Sequence, residues 1–161
     1  MIVMGFNQGM QPIAGYNYGA RQYLRVNKVL KLTIIYATAV TTFGFLVGML
    51  IPELTVSIFT NDAKLIALSA KGLRITVIFF PIIGFQMVTS NFFQSIGMAG
   101  KAIFLSLSRQ LLILLPCLLI LPRFFGEWGV WYSMPVSDIL ASLIAAAMLI
   151  AQFRKFKRHE V

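Results

Sequence analysis

The sequence predicts an all-α fold of the membrane kind, a polytopic helix bundle, and three observations carry that expectation. Hydrophobic residues fill 58% of the 161 positions and charged residues 12%, well above the apolar share and below the charged share of ordinary soluble domains. Uncharged runs long enough to cross a bilayer recur along the chain. The basic residues fall between those runs, as the positive-inside rule requires, so the net charge of +9 reads as topology. Nucleic acid is not expected as a partner, because no folded polar face carries the charge.

Residues 1–20 open on Met1-Ile2-Val3-Met4 with no basic segment ahead of an apolar stretch and then run into Asn7, Gln8 and Gln11. That is unlike a signal peptide. The expectation is the end of a transmembrane helix of a longer parent, followed by a cytoplasmic turn. In residues 21–31, Arg21, Arg25 and Lys28 recur at helical spacing opposite Tyr23, Val26, Val29 and Leu30, which predicts a helix lying on the cytoplasmic leaflet. An extension of the following span, with snorkelling charges, is the alternative.

Residues 32–152 then read as a bundle of four spans, about 32–52, 75–97, 102–122 and 128–152. Leu32 to Ile51 holds 20 residues without a charge, and at ~1.5 Å per residue these cover the ~30 Å hydrocarbon core. Glu53, Asn61 and Asp62 mark an aqueous loop in which Thr60-Asn61-Asp62 caps a short helix from about 63 to 73. Ile75 to Gly100 is uncharged over 26 residues. The third span contains Arg109, which either snorkels to the headgroups or faces the protein interior. A turn over Pro122 to Glu127 follows, with Trp128 and its neighbouring Phe residues suited to an interfacial belt. The last span has Asp138 as its one charge, and residues 153–161 form a basic tail. Ten Lys and Arg residues fall on the side of the tail and four on the other, which predicts a cytoplasmic C-terminus in a cell (inner) membrane.

Polar groups inside spans are the informative ones, because no water is there to satisfy them. Asp138 is a candidate proton carrier, cation ligand or partner for a cationic substrate. Its structural alternatives are hydration near the interface or a pairing with an Arg. Gln86, Ser90 and Gln94 stand at i, i+4 and i+8, with Thr89, Asn91 and Ser95 beside them. Gln86, Asn91 and Gln94 are transport-pathway candidates, and interhelical glue is the competing role, favoured for Thr89 and Ser95. Gly44 and Gly48 form a small-xxx-small pair that reports close packing. Pro81, Pro116 and Pro135 interrupt three spans, as in transporters that rock between two states.

No catalytic constellation, carboxylate pair or phosphate-binding glycine loop is present, so neither an enzyme nor an ATP-driven pump is expected. The sequence has one Cys, Cys117, and one His, His159, too few ligands for a zinc site, and no cofactor is expected.

Gln11-Pro12-Ile13-Ala14-Gly15-Tyr16-Asn17-Tyr18-Gly19-Ala20-Arg21 resembles the segment that closes the eighth helix of the multidrug and toxic compound extrusion (MATE) exporters. Phe93-Gln94-Ser95-Ile96-Gly97 with Lys101, then Ser108-Arg109-Gln110 and Pro116, is similar to that family's passage from its tenth to its eleventh helix. Gly129-Val130-Trp131, Pro135 and Asp138 resemble the start of its twelfth. The matches run in family order along nearly the whole chain. The resemblance implies the end of helix eight and helices nine to twelve of a twelve-helix parent in two lobes. Such a parent exports small cationic, amphipathic compounds in exchange for H⁺ or Na⁺, with the lipid bilayer and the missing N-terminal lobe as partners. Gln11, Pro12, Gly15, Tyr16, Asn17, Gly19 and Arg109 belong to its structural, cytoplasmic motifs. The acid that sodium-coupled relatives carry in helix ten has no counterpart between Ile75 and Gly100, so no cation site is transferred. This chain alone is expected to be inactive. A lipid-linked sugar flippase of the same superfamily and a non-transporting membrane scaffold are the alternatives.

Overall fold

The computed structural model describes the backbone of residues 1–159 and the side chains of residues 1–156. Among these residues every regular element is helical: α1 (Ile2–Gly19), α2 (Tyr23–Leu50), α3 (Pro52–Ser57), α4 (Ala63–Val77), α5 (Phe80–Ser95), α6 (Ala99–Leu107), a π-helical stretch (Ser108–Leu114), α7 (Leu115–Phe125) and α8 (Glu127–His159). Three continuous helices are long and apolar enough to cross a membrane: α2, the run Ala99–Phe125, and α8. α4 and α5 are long and apolar enough only when taken together, as a pair bent by 50°.

Several boundaries differ from the sequence reading. Residues 21–31 are not a separate surface helix, because Tyr23–Leu50 is unbroken. Val26, Leu30, Thr33 and Ala37 continue one buried line across the junction, and a kink there would pull that line off its partners. Residues 2–19 are helical, with a short exit after them. α1 buries Val3, Met10 and Ala14 together with Asn7 and Asn17. It ends where the N–H groups of Arg21 and Gln22 donate to the carbonyls of Tyr18 and Asn17, with Arg21 in the left-handed region at φ 57°. That is a Schellman end with an Arg where glycine is usual.

The expected short helix and second span are one bent pair. Asp62 caps α4 as expected, its carboxylate accepting from the N–H groups of Lys64 at 2.9 Å and Leu65 at 3.5 Å. The bend falls between Val77 and Phe80 because Pro81 has no N–H for the carbonyl of Val77 four residues back, and its ring crowds that carbonyl. The bend is seated against α2: a Cβ on Gly48 would meet Val77 at 3.0 Å, and one on Gly84 would meet Thr41 at 2.7 Å. Close packing is thus what Gly48 provides.

The third crossing widens into the π-helical stretch just before Pro116, which has no N–H for the carbonyl of Leu112. The expected turn from 122 to 127 shrinks to Gly126, whose φ of 59° and ψ of −140° is a conformation open to glycine alone. Pro122 lies inside α7. α7 and α8 then cross so closely that a Cβ on Gly129 would lie 2.4 Å from the backbone of Leu121. The basic segment from 153 onward continues α8 to His159, since Phe153 and Phe156 pack back onto the bundle. The side chains of Lys157, Arg158 and His159 lie outside the described residues.

The core runs through Met10, Ala14, Leu30, Phe92, Phe93 and Leu149. At one end Phe156 stacks on Tyr23 with ring centroids 4.9 Å apart, which joins the end of α8 to the start of α2. The Lys101 ammonium donates to the Gln152 side-chain oxygen at 2.7 Å and sits over the Phe93 ring, bringing the start of α6 to that same end.

Candidate functional site

α8 turns one line of residues inward: Ser133, Ser137, Asp138, Ala141, Ser142, Ala145, Leu149, Gln152 and Phe156 are buried. The spacing is that of a helix face, and its half nearer Glu127 is small and polar. The three serines donate back into their own helix, Ser133 to the Gly129 carbonyl, Ser137 to that of Met134 and Ser142 to that of Asp138. On the half of this face nearer Glu127, Asp138 is therefore the group whose needs the helix does not meet, and its side chain is 5% exposed.

Arg109 meets them. It lies in the π-helical stretch, and its Nη2 is 2.7 Å and its Nε 3.0 Å from Asp138 Oδ1. This is the one ion pair among the described residues. The pair is deep: Arg109 is ten residues into the run that starts at Ala99, and Asp138 eleven into α8, each ~15 Å from its helix end at the helical rise. Arg109 accordingly reaches the interior and not the headgroups, and it no longer counts among the charges flanking the spans. Of the readings open for Asp138, the geometry gives pairing with an Arg in a buried site.

Two small cavities share Arg109 and Gln110. One, of ≈ 210 Å³, is lined by Thr76, Phe80, Met134, Ser137 and Asp138 among others. The second, of ≈ 190 Å³, is lined by Gln86, Ser90, Asn91, Leu105 and Ser106 among others. Asp138 lines the first of them only, and Arg109 reaches both. Gln86 is 5% exposed, and its side-chain oxygen is enclosed without a hydrogen-bond partner among the described residues. Asn91 donates to the Met87 carbonyl at 2.9 Å and Ser90 to the Ala102 carbonyl of the neighbouring helix at 3.3 Å.

The i, i+4, i+8 stripe does not stay together. Gln86 and Asn91 share a cavity, whereas Gln94 is exposed beyond it. Thr89 and Ser95 donate to their own helix, to the carbonyls of Phe85 and Phe92, and so are not interhelical glue. The motif on α1 lies apart from the ion pair. Gly15 allows the closest approach of α1 to α5, with a Cβ there 2.9 Å from the Ser95 carbonyl oxygen, and Asn17 donates to the Ile13 carbonyl. Tyr16 is exposed, Gln11 is part-buried, and Pro12 and Gly19 are exposed. Sequence reasoning did not single out Gln110, Ser137 or Thr76 as lining groups; Ser137 is legible in hindsight as one residue before Asp138. Among the described residues no group of three or more His, Cys, Asp or Glu stands ready for a metal ion.

Comparison with known proteins agrees with this architecture. The chain is 23% identical over 150 residues to the multidrug export protein MepA of Staphylococcus saprophyticus, covering 93% of this chain and 32% of MepA. It is 27% identical over 150 residues to MepA of Staphylococcus aureus strain MSSA476, with the same coverage. Among solved structures, the MATE multidrug transporter DinF-BH superposes with a TM-score of 0.87 at 39% identity, over 92% of this chain and 33% of that one. An inward-facing and an outward-facing conformation of a multidrug resistance MATE family transporter give TM-scores of 0.90 and 0.89 at 20% and 21% identity, each over nearly all of this chain and little more than a third of the other. The chain thus spans about a third of the length of the relatives it matches. The family model described as MatE matches residues 1–119, and the chain belongs to this family, whose members are transporters and not enzymes.

Proposed function

We propose that this chain contributes the end of helix eight and helices nine to twelve to an ion-coupled exporter of organic cations, and that it does not transport without the rest of that protein. The observation that carries the reading is the buried Arg109–Asp138 pair, with Asp138 lining one small cavity and Arg109 lining that one and a second. An ionised carboxylate far from water is stable only while a cation faces it. Arg109 supplies that cation at rest, and a cationic substrate or a proton would be the natural competitor for Asp138. The names of the MepA and DinF-BH relatives add that multidrug transport goes with this fold. The near-equal likeness to inward- and outward-facing structures supports a lobe that moves as a unit.

The site also weighs against a lipid-linked sugar flippase, which would want an unneutralised cationic cavity for its phosphates. Here the one Arg deep in the bundle is matched by a carboxylate. Antiport with H⁺ or Na⁺, small cationic amphipathic substrates and a cytoplasmic C-terminus belong to this proposal.

Ethidium efflux from cells expressing the full parent reading frame tests it. The parent exports, Asp138→Asn at equal membrane expression loses most of that export, and the 161-residue chain alone exports nothing. An Asp138→Asn parent that exports as fast as the unchanged protein would remove Asp138 from the mechanism. A parent that exports no cation would sink the exporter reading itself.

A further inference from the structure

The exposed side of α2 carries a feature that transport leaves unused. A shallow groove of ≈ 660 Å³ runs along it, lined by Ile35, Thr38, Ala39, Thr42, Phe43 and Leu46 among others. The groove exists because small side chains at Thr38, Ala39 and Thr42 lie between protruding large ones: Ile35 is 62% and Phe43 68% exposed. Because α2 is unbroken from Tyr23, the line of the groove can be followed back toward its start. At 3.6 residues per turn, Lys28, Ile35, Ala39, Thr42 and Leu46 fall within about 40° of one line along the helix. Arg25 and Lys31 flank that line, and both, like Lys28, are exposed. None of the three has a carboxylate partner, since the one ion pair among the described residues is Arg109–Asp138.

The dimensions are those of one phospholipid. From Lys28 to Ile35 the helix rises ~10 Å, a headgroup-to-chain distance, and from Ile35 to Leu46 it rises ~17 Å, against the ~15 Å depth of one leaflet. We infer that this face of α2 binds an anionic phospholipid of the leaflet at which α2 begins, with its phosphate on Arg25, Lys28 and Lys31 and one acyl chain in the groove from Ile35 to Leu46. A zwitterionic lipid of the same length fills the groove without the charge term, so the headgroup preference is the signature. A surface cation adds roughly fivefold to the affinity for an anionic lipid.

The test is native mass spectrometry of the 161-residue chain in detergent, titrated with dioleoyl phosphatidylglycerol or dioleoyl phosphatidylcholine. The unchanged chain retains the phosphatidylglycerol at least ~10-fold more tightly, as expected for several cations on one headgroup. Arg25→Gln/Lys28→Gln/Lys31→Gln brings the two lipids level, while Lys64→Gln/Lys71→Gln, on α4, keeps the preference. Ala39→Phe, which fills the floor of the groove from an exposed position, lowers retention of both lipids. If circular dichroism shows the triple variant unfolded, Lys28→Gln alone should still cut the preference about fivefold. Equal retention of the two lipids by the unchanged chain overturns the assignment, as does a triple variant that is folded and still selective. An Ala39→Phe chain that holds lipid as before removes the groove. Displacement of the lipid by equimolar glycerol phosphate would make the site one for a free anion and not for a membrane lipid.

Discussion

At the scale of single residues, the Arg109–Asp138 pair is the most consequential contact in the chain, because neither partner has a substitute. Removing one charge leaves the other unpaired in an apolar bundle, at a cost of about 3–5 kcal/mol for a fully buried pair. The Arg109 side chain is 33% exposed, so the lower part of that range applies. Arg109→Met and Asp138→Leu are each expected to lower the thermal midpoint of the detergent-solubilised chain. The double variant should recover most of the loss, since two apolar side chains leave no charge behind. A double variant no more stable than either single one would mean that the pair is not a closed unit. Arg21 is the second case. Its φ of 57° costs an L-residue about 1 kcal/mol or more, so Arg21→Gly should stabilise the end of α1 by about that amount in the same assay. Both charges of the pair were legible in the sequence as unusual, and pairing of Asp138 with an Arg was one of several open readings, which the sequence alone did not select. They lie on different helices, and the π-helical stretch that turns Arg109 inward has no signature apart from Pro116 a few residues on.

Elements obey rules that the sequence displays more openly. Pro81 marks the break between α4 and α5, and Asp62 the start of α4, both readable from residue type alone. Periodicity could not say whether residues 21–31 end before the following span or run into it, because a surface helix and a helix extension bury the same arc. If Pro81 causes the 50° bend, Pro81→Ala restores the N–H that the Val77 carbonyl lacks, and the pair should straighten. Spin labels at Lys64 and Gln94, both exposed, would then move apart by ~5 Å, from the helical rise and the relief of the bend. An unchanged distance would put the cause of the bend in packing against Gly44 and Gly48. The helix crossings are equally specific. Gly129→Ala forces a Cβ onto the Leu121 backbone at 2.4 Å and should cost about 3 kcal/mol. Gly5→Ala and Gly9→Ala meet nothing within 4 Å and should be neutral or gain up to ~1 kcal/mol of helix propensity.

For the whole molecule, the decisive feature is the sorting of charge between its two ends. Phe156 stacked on Tyr23, with Lys101 on Gln152, gathers the start of α2, the α5–α6 turn and the end of α8 at one end. Arg21, Arg25, Lys28, Lys31, Lys101, Arg154 and Lys155 all lie on the segments gathered there. Glu53, Asp62 and Glu127 sit in the connections at the opposite end, where α2 leads to α3, α4 begins and α7 turns into α8. Counting the bent α4–α5 pair as one crossing gives four from α2 to α8, an even number that places the start of α2 and the end of α8 at one end, and the ring stacking reaches the same arrangement without reference to any membrane. The start of α2 and the end of α8 share one end, whereas Arg109, which loop counting placed among the flanking charges, lies inside the bundle. In a Cys117→Ser background, Lys28→Cys and Lys155→Cys are expected to react with an impermeant thiol reagent only after the cells are opened, and Glu53→Cys in intact cells. Reaction of all three in intact cells would break the orientation. If Lys28→Cys and Lys155→Cys differed, the fault would lie deeper, because an odd number of crossings cannot be reconciled with Phe156 lying on Tyr23.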